Sequence, residues 1–138
     1  MPGLGYFSKY DPTAEMRKLL QTNKVVIIST TTCPYCTVAQ EQFDKLAQPT
    51  LKYELDTMPD RNRSYALFRD VVSKTDNQAT VPKVFVCGKY VGGGTEAEKM
   101  YKKGTLKQML DKCDMDQLAS WKWSEISEAK APEGIFWK

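Results

Sequence analysis

The chain has 138 residues, 41% of them apolar and 27% charged, with a net charge of +3. That composition suits one globular domain with a short appendage and excludes wholesale disorder. The weak charge gives no ground for nucleic-acid binding, no run approaches the ~18 consecutive apolar residues that span a membrane, and the absence of histidine excludes Cys–His and Ser–His catalysis.

Residues 1–10 lack a basic segment followed by an apolar run, so no secretory leader is expected and the expected compartment is the cytoplasm, where thiols stay reduced. Asp11-Pro12 predicts a helix start, with Met16, Leu19 and Leu20 on one face and Asn23 as its end. Residues 24–29 form a β-branched run, as in a strand buried on both faces. Thr30-Thr31-Thr32 leads into Cys33, and Pro34 opens a second helix with an apolar stripe of Val38, Ala39, Phe43, Leu46 and Ala47. Leu51, Tyr53 and Leu55 alternate with polar residues as a second strand, and a third helix is expected over residues 63–74.

Thr80-Val81-Pro82 precedes Val84-Phe85-Val86, and Gly88 marks a turn into Tyr90-Val91, which together read as a hairpin. Gly92-Gly93-Gly94 follows. Thr95 with Glu98, and Thr105 with Gln108, carry the spacing of capping boxes and predict two further helices. The order α-β-α-β-α-β-β-α-α predicts an α/β architecture: a parallel crossover between the first two strands, then an antiparallel pair, with helices on both faces of a mixed sheet.

Cys33-Pro34-Tyr35-Cys36 carries the chemistry. It lies where a buried strand ends and a helix begins, and unpaired N–H groups and the helix dipole there favour a thiolate. With no histidine available, this is the main activation route. Cys33, at the edge, is expected to attack, and Cys36, one turn in, to resolve. A Cys-x-x-C pair is also half of a zinc site, but Cys87 and Cys113 stand far apart in sequence and supply no second pair. A structural disulfide between Cys33 and Cys36 is disfavoured by the expected compartment, and Cys87 and Cys113 read as small core hydrophobes or, if exposed, as sites of glutathionylation or dimerisation. Pro82 reads either as a cis proline exposing the Val81 backbone to an extended ligand or as a trans proline opening an edge strand. The glycine run before Thr95 has an anion-binding geometry, through the N–H groups of Gly94 and Thr95, but lacks the lysine of a nucleotide-binding loop.

These motifs, in this order and spacing, resemble a glutaredoxin of the dithiol class over residues 13–113. The resemblance implies a thioredoxin fold with a four-stranded mixed sheet flanked by helices on both faces, a cis Pro82, and glutathione as co-substrate with no metal. It implies that Cys33 attacks glutathione mixed disulfides and that Cys33 and Cys36 together reduce protein disulfides. Tyr35, Thr80, Val81 and Pro82 would flank the tripeptide. Gly93, Gly94 and Thr95 would hold its γ-glutamyl carboxylate, with Glu96 near its amino group. Two departures stand out. Thr30 occupies the place where many members carry lysine, and Glu96 stands where Asp is common. Arg69 is the cation offered in place of that lysine; as a residue alone it reads equally as a solvated surface charge. The implied partners are glutathione and glutathionylated or disulfide-containing proteins, with the chain a monomer. Two alternatives remain open: a [2Fe–2S] module ligated by the first cysteine and glutathione, which Pro34 is expected to hinder, and a dedicated electron donor to one enzyme.

The family-like domain is expected to span residues 1–113. Residues 114–138 form an aromatic-rich extension holding Trp121, Trp123 and Trp137, read as folding back on the domain, with partner docking as the alternative.

Overall fold

In the computed structural model, residues 10–120 are described. Helix α1 (Pro12–Thr22) starts as its sequence dictates: the Asp11 carboxylate accepts the Ala14 N–H at 3.1 Å, and Pro12 fills the first turn. The Asn23 side chain closes it by donating to the Leu19 carbonyl. Strand β1 (Val25–Ser29) is buried along its whole length. Helix α2 (Pro34–Lys45), strand β2 (Leu51–Glu54) and helix α3 (Arg61–Lys74) follow. Asp60 caps α3 by accepting the N–H groups of Asn62 and Arg63. Leu55, expected in the second strand, instead begins a short 3₁₀ turn over Leu55–Thr57.

Strands β3 (Lys83–Val86) and β4 (Lys89–Gly92) complete a sheet of order β2-β1-β3-β4. The β1–β2 pair is parallel and the other two pairs are antiparallel, as the strand–helix–strand and hairpin signals predict. The β3–β4 turn uses Cys87 at φ 52° and Gly88 at φ 77°, the left-handed pair that matches hairpin twist. Helices α4 (Gly94–Lys103), α5 (Thr105–Lys112) and the four-residue α6 (Met115–Leu118) end the described chain.

Strand alternation sorts the core into two layers. Val25 and Ile27 of β1, with Val84 and Val86 of β3, face Ala39 and Phe43 of α2, Ala97 and Met100 of α4, and Leu106 and Met109 of α5. Val26, Ile28 and Phe85 face the other way, against Met16 and Leu20 of α1, Leu67 and Val71 of α3, and Leu118 of α6. The α2 stripe is narrower than its sequence suggests. Gln42 is buried, donating its amide to the Val38 carbonyl, while Ala47 lies past the helix end, exposed and at φ 54°.

Two capping expectations shift register. Helix α4 begins two residues before the Thr95–Glu98 pattern implies: Gly93 is its cap, and Glu96 reaches back to accept the Gly93 N–H at 2.8 Å. Helix α5 takes Gly104, in the left-handed region, as its cap; the Thr105 hydroxyl donates to the Met100 carbonyl instead.

The reading of Cys87 and Cys113 as separate core hydrophobes is overturned. They form a disulfide with Cα atoms 5.6 Å apart, and both are half-buried. It ties the β3–β4 turn to the end of α5. The expectations for Trp121, Trp123 and Trp137 lie outside the described residues.

Candidate active site

Three chain segments meet at the edge of the sheet where β1 ends and β3 begins. The first is the loop from Ser29 to Cys33. Asp56, just past β2, holds it by accepting the Thr31 N–H at 3.1 Å and the Thr31 hydroxyl at 2.5 Å. The hydroxyl bond is the main reason the Asp56 carboxyl sits below its ordinary range. Cys33 then caps α2 with its own sulfur: the Cys36 N–H points at Cys33 Sγ over 3.1 Å. A serine or aspartate oxygen does this at most helix starts; here the acceptor is the reactive atom.

Cys33 and Cys36 are joined as a disulfide, with Cα atoms 5.2 Å apart. The two sulfurs are not equivalent. Cys33 is half-buried beside exposed Tyr35, whereas Cys36 is 2% exposed and packed inward. An incoming thiol therefore reaches Cys33 first.

The second segment is Thr80-Val81-Pro82. The Val81–Pro82 peptide is cis, settling the two readings of Pro82. The Val81 carbonyl oxygen lies 3.6 Å from Cys33 Sγ, within reach of a thiol proton once the disulfide opens. A network that sequence reasoning does not find holds this segment. Lys83, fully buried, donates to the Asp76 carboxylate at 2.8 Å and to the Thr80 hydroxyl at 3.2 Å. The Tyr90 hydroxyl donates to the other Asp76 oxygen at 2.8 Å. Burial opposes charge on Asp76, but the Lys83 ammonium, the Gln78 N–H and the Tyr90 hydroxyl outweigh it and hold the carboxyl below its usual range. Tyr90 is pushed up in turn, chiefly by burial and then by the bond to Asp76.

The third segment is the start of α4. Gly94 is a contact point as much as a turn: a Cβ there would collide with the Tyr35 carbonyl oxygen and stand 3.2 Å from Tyr35 Cβ. The missing side chain lets the start of α4 close onto the start of α2. Gly94→Ala is therefore expected to cost about 1–3 kcal/mol, since backbone must move to admit the methyl group. A Cβ at Gly93 meets nothing nearer than 3.3 Å, so Gly93→Ala is expected to cost less. Urea midpoints of the two variants check this; equal losses would contradict it.

Tyr35, Thr80, Val81, Pro82, Gly93, Gly94, Thr95 and Glu96 line one open cleft of about 400 Å³, together with Asp76, Tyr90 and Gly92. The structure thus gathers every sequence-derived cleft residue except two. Thr30 lines a second cavity of about 210 Å³, with Leu55, Asp56, Arg61, Ser64, Tyr65 and Phe68. Arg69 lines neither; its guanidinium lies over the Tyr65 ring, 5.5 Å from the centroid. The cleft offers peptide groups on one wall and a helix start on the other, and the Val81 carbonyl on its wall lies 3.6 Å from Cys33 Sγ. That arrangement suits an extended peptide thiol carrying an anionic end.

The Glutaredoxin family model matches residues 25–91. The chain is 40% identical over 95 residues to glutaredoxin-C5, chloroplastic, of Arabidopsis thaliana, covering 69% of this chain and 53% of that protein. It is 33% identical over 94 residues to a glutaredoxin of Ricinus communis, covering 68% of this chain and 88% of that protein. Among solved structures, the buckwheat glutaredoxin–glutathione complex superposes with a TM-score of 0.64 at 28% identity, covering 81% of this chain and 96% of that one. The sheet order and flanking helices are those of a thioredoxin-type fold. The chain spans only about half to two thirds of the length of the first curated relatives it matches.

Proposed function

The chain belongs to the glutaredoxin family, and on that premise we propose that it is a glutathione-dependent thiol–disulfide oxidoreductase. The observation that carries the reading is the shared position of Cys33 Sγ: it caps α2, and it lies beside the Val81 carbonyl on one wall of the cleft that α4 closes.

From the disulfide, a glutathione thiolate attacks Cys33 Sγ; the Cys33–Cys36 bond breaks and Cys36 leaves as a thiolate. A second glutathione attacks the sulfur of the bound glutathione, giving oxidised glutathione and the Cys33 thiolate. The Cys36 N–H stabilises that thiolate. In the productive direction the Cys33 thiolate attacks the glutathione sulfur of a protein mixed disulfide, and the target thiolate leaves. For a protein disulfide, the Cys33 thiolate attacks one of its sulfurs and the first target thiolate leaves; Cys36 then attacks the Cys33 sulfur of that mixed disulfide, closing Cys33–Cys36 and freeing the second target thiol. The tripeptide would run along the Val81 backbone, with its γ-glutamyl carboxylate at the N–H groups that open α4.

A coupled assay with glutathione reductase and NADPH tests this, with a glutathionylated peptide as substrate. NADPH oxidation is expected only when glutathione is supplied. Equal turnover with a thioredoxin system in place of glutathione would refute the glutathione reading.

A further inference from the structure

The Val81 peptide is the wall along which the glutathione backbone runs in the steps above, yet it belongs to no helix or strand. The chain from Thr75 to Pro82 is irregular, between the end of α3 at Lys74 and the start of β3 at Lys83. Lys83 is firmly placed, because its backbone pairs with Ile28 of the buried strand β1. A displacement of about 1 Å at a reacting centre can cost on the order of a hundredfold in rate, so the irregular segment needs side chains to fix it.

Asp76 supplies the tie. One of its oxygens accepts the Gln78 N–H at 3.0 Å and the Lys83 ammonium at 2.8 Å; the other accepts the Tyr90 hydroxyl at 2.8 Å. A single carboxylate thereby joins its own loop to β3 and β4. Lys83 passes the tie on, donating at 3.2 Å to the hydroxyl of Thr80, the residue before Val81. The ion pair is asymmetric: the Lys83 side chain is 0% exposed and that of Asp76 38%. Asp76 can do without Lys83, because water reaches it. Lys83 cannot do without Asp76. Its buried charge would keep only the Thr80 hydroxyl and the face of the Tyr90 ring, 5.9 Å away. The ammonium must then shed its proton or swing out to water, and either way its hold on Thr80 loosens.

We propose that Asp76 is a positioning residue for the reaction: by neutralising buried Lys83 it fixes the Thr80–Val81 segment along which the substrate's backbone pairs. This rests on the glutathione reading above. Asp76 also lines the cleft, so the test separates action through Lys83 from direct contact with the ligand.

Protein with Cys33–Cys36 reduced is oxidised in a single turnover and followed by acid quench and mass spectrometry, with two oxidants. A glutathionylated peptide carries peptide groups for Val81 to pair; bis(2-hydroxyethyl) disulfide carries none. In each case Cys33 attacks one sulfur and a thiolate leaves, and Cys36 then displaces the second thiolate and closes Cys33–Cys36. Asparagine at position 76 keeps the neutral links to Gln78 and Tyr90 and removes only the charge. Asp76→Asn is expected to slow the peptide reaction about tenfold, the worth of the hydrogen bonds that Val81 offers an extended ligand, and to leave the small disulfide within about twofold. Lys83→Met, of similar volume and uncharged, is expected to slow the peptide reaction by no more than about twofold, because no charge is left buried. Adding Asp76→Asn to Lys83→Met should cost nothing further, since residues that act through one another are not additive. A further tenfold loss in the Lys83→Met background means direct contact with the ligand and overturns the proposal, as does equal slowing with both oxidants or slowing with neither. Should Asp76→Asn alone fail to fold, the comparison of Lys83→Met with the double variant still decides. These outcomes leave the glutathione reading standing. No glutathione-dependent NADPH oxidation by the unsubstituted protein in the coupled assay overturns that reading and this proposal with it.

Discussion

Cys33→Ser is expected to reduce turnover of a glutathione mixed disulfide to the uncatalysed background, a loss on the order of a thousandfold or more. Cys36→Ser is expected to keep that activity within roughly an order of magnitude while losing reduction of protein disulfides. The asymmetry follows from what each position supplies. Cys33 supplies the sulfur that an incoming group can reach, and a hydroxyl in its place does not ionise near neutral pH. Cys36 supplies two things: a buried resolving thiol and the backbone N–H that points at Cys33 Sγ. Serine removes the first and leaves the second, so the Cys33 thiolate keeps its donor. Without Cys36 the Cys33 mixed disulfide with a protein waits for glutathione, which is why the two substrate classes separate. Steady-state rates of both variants on a glutathionylated peptide and on a protein disulfide read this out. A Cys33→Ser variant that still turned over the mixed disulfide would sink the assignment.

Much of this arrangement was legible because it is local. A β-branched run, a Cys-Pro pair and a helical stripe lie within a few residues of one another, and each has a conformational reason to follow the last. The features that escaped are those whose parts are distant or atypical. Asp76, Lys83 and Tyr90 are separated by loop and strand, and nothing at their positions in the chain announces that one carboxylate serves both donors. Helix α6 has four residues, too few for a period, yet Leu118 is 2% exposed in the layer with α1. The α4 cap was misplaced because Thr95–Glu98 mimics a capping box, while the real cap is a glycine with no side chain to signal it. Arg69 is the cation that the family resemblance offers on the third helix in place of the lysine missing at Thr30. The helix turns it toward Tyr65, and brings Arg61, eight residues earlier, into the cavity with Thr30.

The Cys87–Cys113 disulfide joins two positions too distant in the chain for sequence to pair, and it holds the β3–β4 turn to the end of α5. Cys113→Ala is expected to destabilise the protein by about 3.5 kcal/mol, the chain-entropy value for a cross-link closing a loop of this size; the two cysteines are 26 residues apart in sequence. Cys113 is the better position to change. It ends α5 in an ordinary extended conformation, whereas Cys87 holds a left-handed backbone that few side chains accept, so replacing Cys87 alters the turn as well as the cross-link. The urea midpoint should fall by roughly 1–3 M, and the slope of the transition should steepen because the uncrosslinked chain expands further when unfolded. Catalysis should change little. The Cys87 N–H bonds the Lys24 carbonyl at the start of β1, while Cys33 follows its end, so the five residues of β1 place the cross-link about 17 Å from the reactive sulfur. The same geometry separates the effects of the two disulfides. Reduction of Cys33–Cys36 opens a loop of only three residues' separation, for which the same relation gives about 1.6 kcal/mol, roughly half the effect of the longer cross-link. On full reduction the midpoint of the oxidised protein should therefore fall below that of oxidised Cys113→Ala, and reduction should shift Cys113→Ala itself by the smaller of the two amounts. A Cys113→Ala midpoint equal to that of the oxidised parent would mean that this cross-link contributes nothing to the fold.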